Sequence, residues 1–88
     1  MCGQMNLQID IGNTLLKWRI VNSGEVISRG KEPATPFFTM TAVKDWNKIN
    51  AVAIASVASE AVEGQLKKIL AEKLPSIIPY YAESQAEL

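Results

Sequence analysis

The sequence predicts an α/β domain built on a mixed five-stranded sheet, with three strands in an antiparallel meander followed by two αβ units. Three observations predict it. Alternating segments flank Gly12-Asn13, a short alanine-rich apolar run from Ala51 to Val57 precedes a segment of helical period, and an apolar stretch interrupted by Pro79 follows that segment. Strand, strand, strand, helix, strand, helix, strand is an order that suits right-handed crossovers.

Met5 to Ile11 alternates as a strand does, with Leu7, Ile9 and Ile11 on one face and Gln8 and Asp10 on the other. Leu15 to Asn22 alternates too. Gly12-Asn13 between them is a two-residue hairpin signal, glycine supplying the positive φ of a type I′ or II′ turn. That turn would set Asp10 opposite Leu15 and Gln8 opposite Lys17, with Leu16, Trp18 and Ile20 sharing the face of Leu7, Ile9 and Ile11. The shared face survives a four-residue loop and fails for an odd-length one.

Ser23-Gly24 predicts a second turn and Glu25 to Arg29 a third strand. Gly30 to Pro36, with two prolines, is expected to be irregular, and Phe38 or Thr39 to about Asn47 to form a short helix with Val43 and Trp46 inward. The run from Ala51 to Val57 has the composition of a parallel strand buried on both faces. From Ser59 to Leu74, Val62, Leu66, Ile69, Leu70 and Leu74 recur at helical spacing. Ser59 is the expected N-cap, Glu60 and Glu63 occupy the first turn, and Pro75 follows the end. Glu63 and Lys67 are spaced for an i,i+4 pair. Ile77 to Ala82 is expected to form a fifth strand, with Pro79 favouring an edge position or an irregular start.

Residues 1–88 read as one domain, near the lower size limit for a single unaided core. Nine basic and nine acidic residues cancel, and no Lys/Arg run exceeds Lys67-Lys68. That pattern argues against nucleic acid and anionic membrane as partners. A single cysteine, Cys2, provides neither a disulfide framework nor a cysteine metal site, which fits a reducing, cytoplasmic setting. Histidine is absent, so a Ser-His-Asp triad and a histidine-ligated metal are excluded within these residues. Neither a signal peptide nor a transmembrane span is expected from the first residues, because the apolar run is broken by Asp10.

The chemistry concentrates in Asp10-Ile11-Gly12-Asn13-Thr14 and in Lys17 beyond it. Nucleotide phosphates call for amide donors at a tight turn, hydroxyl or amide side chains, a cation, and a carboxylate to hold a bound metal. Gly12 permits close approach of backbone, Asn13 and Thr14 donate to oxygens, Lys17 supplies a point charge, and Asp10 is the candidate Mg²⁺ partner. The plainer alternative is a common turn flanked by two solvated side chains. Trp18 and Trp46 are read as packing residues rather than ligand-stacking ones.

Asp10-Ile11-Gly12-Asn13-Thr14 followed by Lys17-Trp18, then the strand from Ala51 and Ser56-Val57-Ala58-Ser59-Glu60 entering a helix, resembles the N-terminal part of type III pantothenate kinases. These belong to the actin, sugar-kinase and Hsp70 superfamily. The resemblance spans nearly all of the chain. It implies a ribonuclease-H-like (actin-like ATPase) domain, with strands four and five added beside the first. It further implies that Asp10, Gly12, Asn13, Thr14 and Lys17 contact ATP in transfer of its γ-phosphoryl group to pantothenate, the first step of coenzyme A synthesis. Mg²⁺, a monovalent cation (K⁺ or NH₄⁺) and a homodimer of the full-length protein belong to the same expectation.

Members of that family are longer and carry two such domains around a cleft, with a catalytic aspartate in a Gly-x-Asp-Arg segment. No such segment occurs here, so no catalytic residue is assigned and the base is expected beyond Leu88. The isolated 88 residues are accordingly expected to be inactive, lacking positioning and proton acceptance. Tyr80 and Tyr81 are candidates for facing the other half of the cleft. The competing readings are a non-catalytic regulatory or protein-interaction module resembling transcription accessory factors of this family, and a superfamily kinase for a sugar or carboxylic acid.

Overall fold

The computed structural model describes residues 4–44, 46–57 and 59–82. Its elements are β1 (Met5–Ile11), β2 (Leu15–Asn22), β3 (Glu25–Pro33), a 3₁₀ turn (Trp46–Lys48), β4 (Ala51–Ser56), α1 (Glu60–Lys73) and β5 (Tyr80–Ala82). They form one mixed sheet in the order β3-β2-β1-β4-β5. The β1–β2 and β2–β3 pairs are antiparallel, whereas β4 runs parallel to both β1 and β5. Strands four and five therefore stand beside the first, and β5 takes the expected edge.

Alternation decides which side of the sheet is dry. Leu7, Ile9 and Ile11 of β1, Leu16, Trp18 and Ile20 of β2, and Val52 and Ile54 of β4 are buried together on one face. On that face they meet Val62, Leu66, Ile69 and Leu70 of α1. Phe38, Met40, Val43 and Ile49 from the β3–β4 connection complete the core, with Trp46 packed against it. Trp18 is thus core, as its composition predicts. Ser59 is the N-cap of α1 with extended backbone, although its side chain makes no capping bond. At the other end, the Leu74 N–H donates to the Leu70 carbonyl at 2.7 Å before Pro75 stops the helix.

The first hairpin differs from expectation in register. Asp10 pairs with Lys17 and Gln8 with Arg19, not with Leu15 and Lys17 respectively. Four residues, Gly12 to Leu15, lie between the paired Ile11 and Leu16, and the Gly12 N–H donates to the Leu15 carbonyl at 2.9 Å. Gly12 and Asn13 have no positive φ, so the type I′/II′ turn is not here. Because four is even, the apolar faces still coincide. The mirror-image turn occurs instead at Ser23-Gly24, where both φ values are positive at 54° and 87°.

β3 runs on to Pro33, past the expected end at Arg29. Gly30 makes this possible by pairing with Trp18: a Cβ there would lie 2.5 Å from the indole ring. The helix expected near residues 38–47 is replaced by tight turns and the 3₁₀ turn. Met40 adopts a left-handed φ of 53°, and the Phe38 carbonyl accepts a 2.7 Å bond from Gln65 of α1. Tertiary contact has displaced the local helix, while Val43 remains inward. One α-helix, not two, therefore accompanies the sheet among the described residues.

β4 ends at Ser56, one residue short of expectation, and is buried on one face only: Val52 and Ile54 are buried, Ala53 and Ala55 half-buried. β5 begins at Tyr80 because Pro79 lacks the N–H that a ladder needs. The expected Glu63–Lys67 pair is not made: Glu63 accepts from Ser56, and the Lys67 ammonium sits 6.0 Å from the Tyr81 ring centroid.

Candidate functional site

Three chain segments converge where β1 and β4 end. The Val57 N–H donates to the Ile11 carbonyl at 3.0 Å, extending the parallel pairing past both strands. The Ser56 hydroxyl donates to the Glu63 carboxylate at 2.8 Å, tying the end of β4 to the first turn of α1. The Gly12–Leu15 loop leaves β1 at the same end. In open sheets with parallel strands, ligands characteristically bind beyond the carboxyl ends of those strands.

Asp10 and Lys17 are cross-strand neighbours on the face opposite the core, and both are exposed. Among the described residues neither is engaged in an ion pair. Directly paired residues on one face have Cβ atoms roughly 4.5–5.5 Å apart, so an anionic ligand beside the pair could meet the ammonium, and the carboxylate could hold a metal ion. Asn13 and Thr14 form the exposed tip of the loop. Among the described residues, their amides donate to no acceptor, whereas the Thr14 carbonyl anchors the loop by accepting from the Ala34 N–H at 3.0 Å.

The Gly12 amide is directed inward to Leu15 and is not a free donor. Of the three loop residues expected to cradle a ligand, Asn13 and Thr14 thus have amides without an acceptor among the described residues, whereas that of Gly12 is used within the loop. A Cβ at Gly12 would find only the Leu15 carbonyl, at 3.6 Å, so nothing in the protein itself requires glycine there.

Asp10 is the sole carboxylate lining the concave face that begins here, and no group of three or more His, Cys, Asp or Glu side chains is assembled among the described residues. A self-sufficient protein metal cage is therefore not what these residues form. One carboxylate matches the way Mg²⁺ is held when substrate phosphates and waters supply its other ligands.

A feature missed in the sequence lies alongside. Lys17 pairs with Lys31 and Arg19 with Arg29, so four of the nine basic residues stand on one sheet face. The Arg19 Nε–H donates to the Gln8 side-chain oxygen at 2.6 Å. With Ala53 and Ala55 they line a depression of about 760 Å³. The signal was present as basic residues spaced two apart on each of two adjacent strands, Lys17/Arg19 and Arg29/Lys31. A search for consecutive basic residues does not detect it. Trp46 and Tyr81 lie away from this depression, and Tyr80 pairs with Ala53 at its rim. No described helix is long and apolar enough to cross a membrane.

The chain is similar to part of a type III pantothenate kinase. The relative, from Marinobacter nauticus, is 34% identical over 68 residues, which is 75% of this chain and 27% of the kinase. The chain thus spans only about a quarter of the length of this curated relative. No family model matches the sequence.

Proposed function

We propose that this chain is the N-terminal, phosphate-holding domain of a two-domain, ribonuclease-H-like kinase that phosphorylates pantothenate with ATP in the first step of coenzyme A synthesis. The observation that carries the proposal is the direct pairing of Asp10 with Lys17 beside the free amides of Asn13 and Thr14. Similarity to a type III pantothenate kinase supports the choice of substrate.

Each residue has a part that follows from its chemistry. Lys17 offsets phosphate charge as a compact ammonium. The Asn13 and Thr14 amides, with their side chains, bond non-bridging oxygens. Gly12 leaves room for the phosphate chain to approach the backbone. Asp10 would hold Mg²⁺, directly or through water, and the chemistry so supplied would be neutralisation of phosphate charge. The proton acceptor and the pantothenate pocket belong to the rest of the enzyme, which we place in the cytoplasm as a homodimer using K⁺ or NH₄⁺.

Asp10→Asn in the full-length protein tests the assignment. Turnover should fall strongly with pantothenate affinity nearly intact, because the carboxylate acts on the metal and phosphates; unchanged turnover removes Asp10 from the mechanism. For the 88-residue chain alone, calorimetry should give ATP binding no tighter than about millimolar, since the two-domain reading puts half of the cleft's contacts in another domain. Micromolar binding would contradict the two-domain reading.

A further inference from the structure

The direction of the Asn13 and Thr14 amides is set at the two shoulders of their loop. On the β3 side the Ala34 N–H donates to the Thr14 carbonyl at 3.0 Å. On the β4 side the loop departs from Ile11, a residue 1% exposed whose carbonyl accepts from the Val57 N–H at 3.0 Å. Ile11 and Ser56 close the register of the parallel β1–β4 ladder, so this second bond lies at the ladder's open end. Ladder ends are where strands fray first, and Val57, one residue past the end, is 58% exposed.

The joint between β4 and α1 is fastened in an unusual way. Ser59, the N-cap, makes no side-chain capping bond. The first helical bond, from the Glu63 N–H to the Ser59 carbonyl at 3.0 Å, fixes the helix to its own cap and not to the strand. A tie from helix to strand comes from the Glu63 carboxylate, which accepts from the Ser56 hydroxyl at 2.8 Å. Both residues are half-buried, and a bond to a carboxylate is stronger than one between neutral groups, more so away from water. The first turn of α1 also favours the negative charge. Glu63 therefore serves the strand end rather than an i,i+4 pair with Lys67.

We propose that Glu63 is a positioning residue for the phosphate loop. Through Ser56 it keeps the end of β4 against β1, the Val57 N–H stays on the Ile11 carbonyl, and the loop leaves β1 in a fixed direction with the Asn13 and Thr14 amides outward. The role rests on the phosphate-binding reading of that loop, and it adds to the site a residue from the side of the sheet opposite Asp10. Glu63 acts by holding the donors in place before phosphate arrives, and a donor displaced by about 1 Å is enough to cost a large part of a site's effect.

The first test, ¹⁵N relaxation of the 88-residue chain, does not depend on activity. Glu63→Ala should lower the heteronuclear NOE of Val57, Asn13 and Thr14 together, and Glu63→Gln, whose amide oxygen still accepts from Ser56, should restore it. Ile69→Val trims the buried row of the same helix away from this joint and should leave those amides unchanged, which separates positioning from a general loss of stability. Unchanged Asn13 and Thr14 amides in Glu63→Ala overturn the proposal, and so does equal loosening by Ile69→Val. In the full-length protein, Glu63→Ala should raise KM for ATP by roughly tenfold or more at unchanged KM for pantothenate, with Glu63→Gln close to the natural protein. A rise in KM for pantothenate alone overturns the proposal as well. A natural full-length protein that does not phosphorylate pantothenate sinks the kinase reading, and the relaxation measurement then decides the role of Glu63 by itself.

Discussion

Gly12 and Gly30 both lack a positive φ, and they are glycine for different reasons. At Gly30 the reason is internal, because Trp18 occupies the space where a Cβ would stand, at 2.5 Å. Gly30→Ala must displace a ring that is 4% exposed, so urea denaturation should show a loss of about 1–3 kcal/mol. At Gly12 the protein supplies no such obstacle, and in the proposed phosphate site the glycine would instead leave room for a ligand approaching the loop. Gly12→Ala should therefore leave stability within about 0.5 kcal/mol while weakening ATP binding by the full-length protein. An equal loss of stability at both positions would show that Gly12 is a structural glycine and remove it from the phosphate site.

At the scale of elements, α1 holds one side of the sheet through few residues. Leu66 is 1% exposed at the centre of the buried row Val62, Leu66, Ile69 and Leu70. Leu66→Ala leaves a cavity between helix and sheet, for which about 2–5 kcal/mol is the ordinary loss. In a domain this small that is a large share of the total, so the urea midpoint should fall sharply or cooperative unfolding should disappear. Ser56→Ala removes the bond to Glu63 and should lower stability by at least about 1 kcal/mol, visible as a midpoint shift. Its interest lies in position: a looser joint between β4 and α1 should also broaden amide signals around Val57, next to the candidate site.

Across the whole molecule, net charge is zero but its distribution is uneven, with Lys17, Arg19, Arg29 and Lys31 sharing one face. Screening should relieve their mutual repulsion, since the Debye length shortens from about 30 Å at 0.01 M salt to about 8 Å at 0.15 M. The melting temperature of the isolated chain, followed by circular dichroism, should accordingly rise by a few degrees (~2–5 °C) between those salt concentrations. A flat or falling profile would show that the cationic face is already compensated.

The existence and order of the strands and the apolar faces of β1, β2 and α1 were readable in the sequence because each depends on local pattern. Period-two alternation put Leu7, Ile9, Ile11, Leu16, Trp18 and Ile20 on one face, and helical spacing identified Val62, Leu66, Ile69, Leu70 and Leu74. Asp10 and Lys17 were assigned to a common face for the same reason. What pattern could not decide was settled by contacts distant in the chain. Pairing of Ile11 with Leu16 sets the hairpin register and turns the Gly12 amide inward; the bond from Gln65 to the Phe38 carbonyl accompanies turns in place of a helix; Trp18 against Gly30 prolongs β3. The gathering of Arg19, Arg29 and Lys31 around an alanine floor is likewise tertiary. Periodicity is a property of neighbours a few residues apart, whereas register, loop conformation and a charged face arise only when separate segments compete for the same hydrogen bonds and the same space.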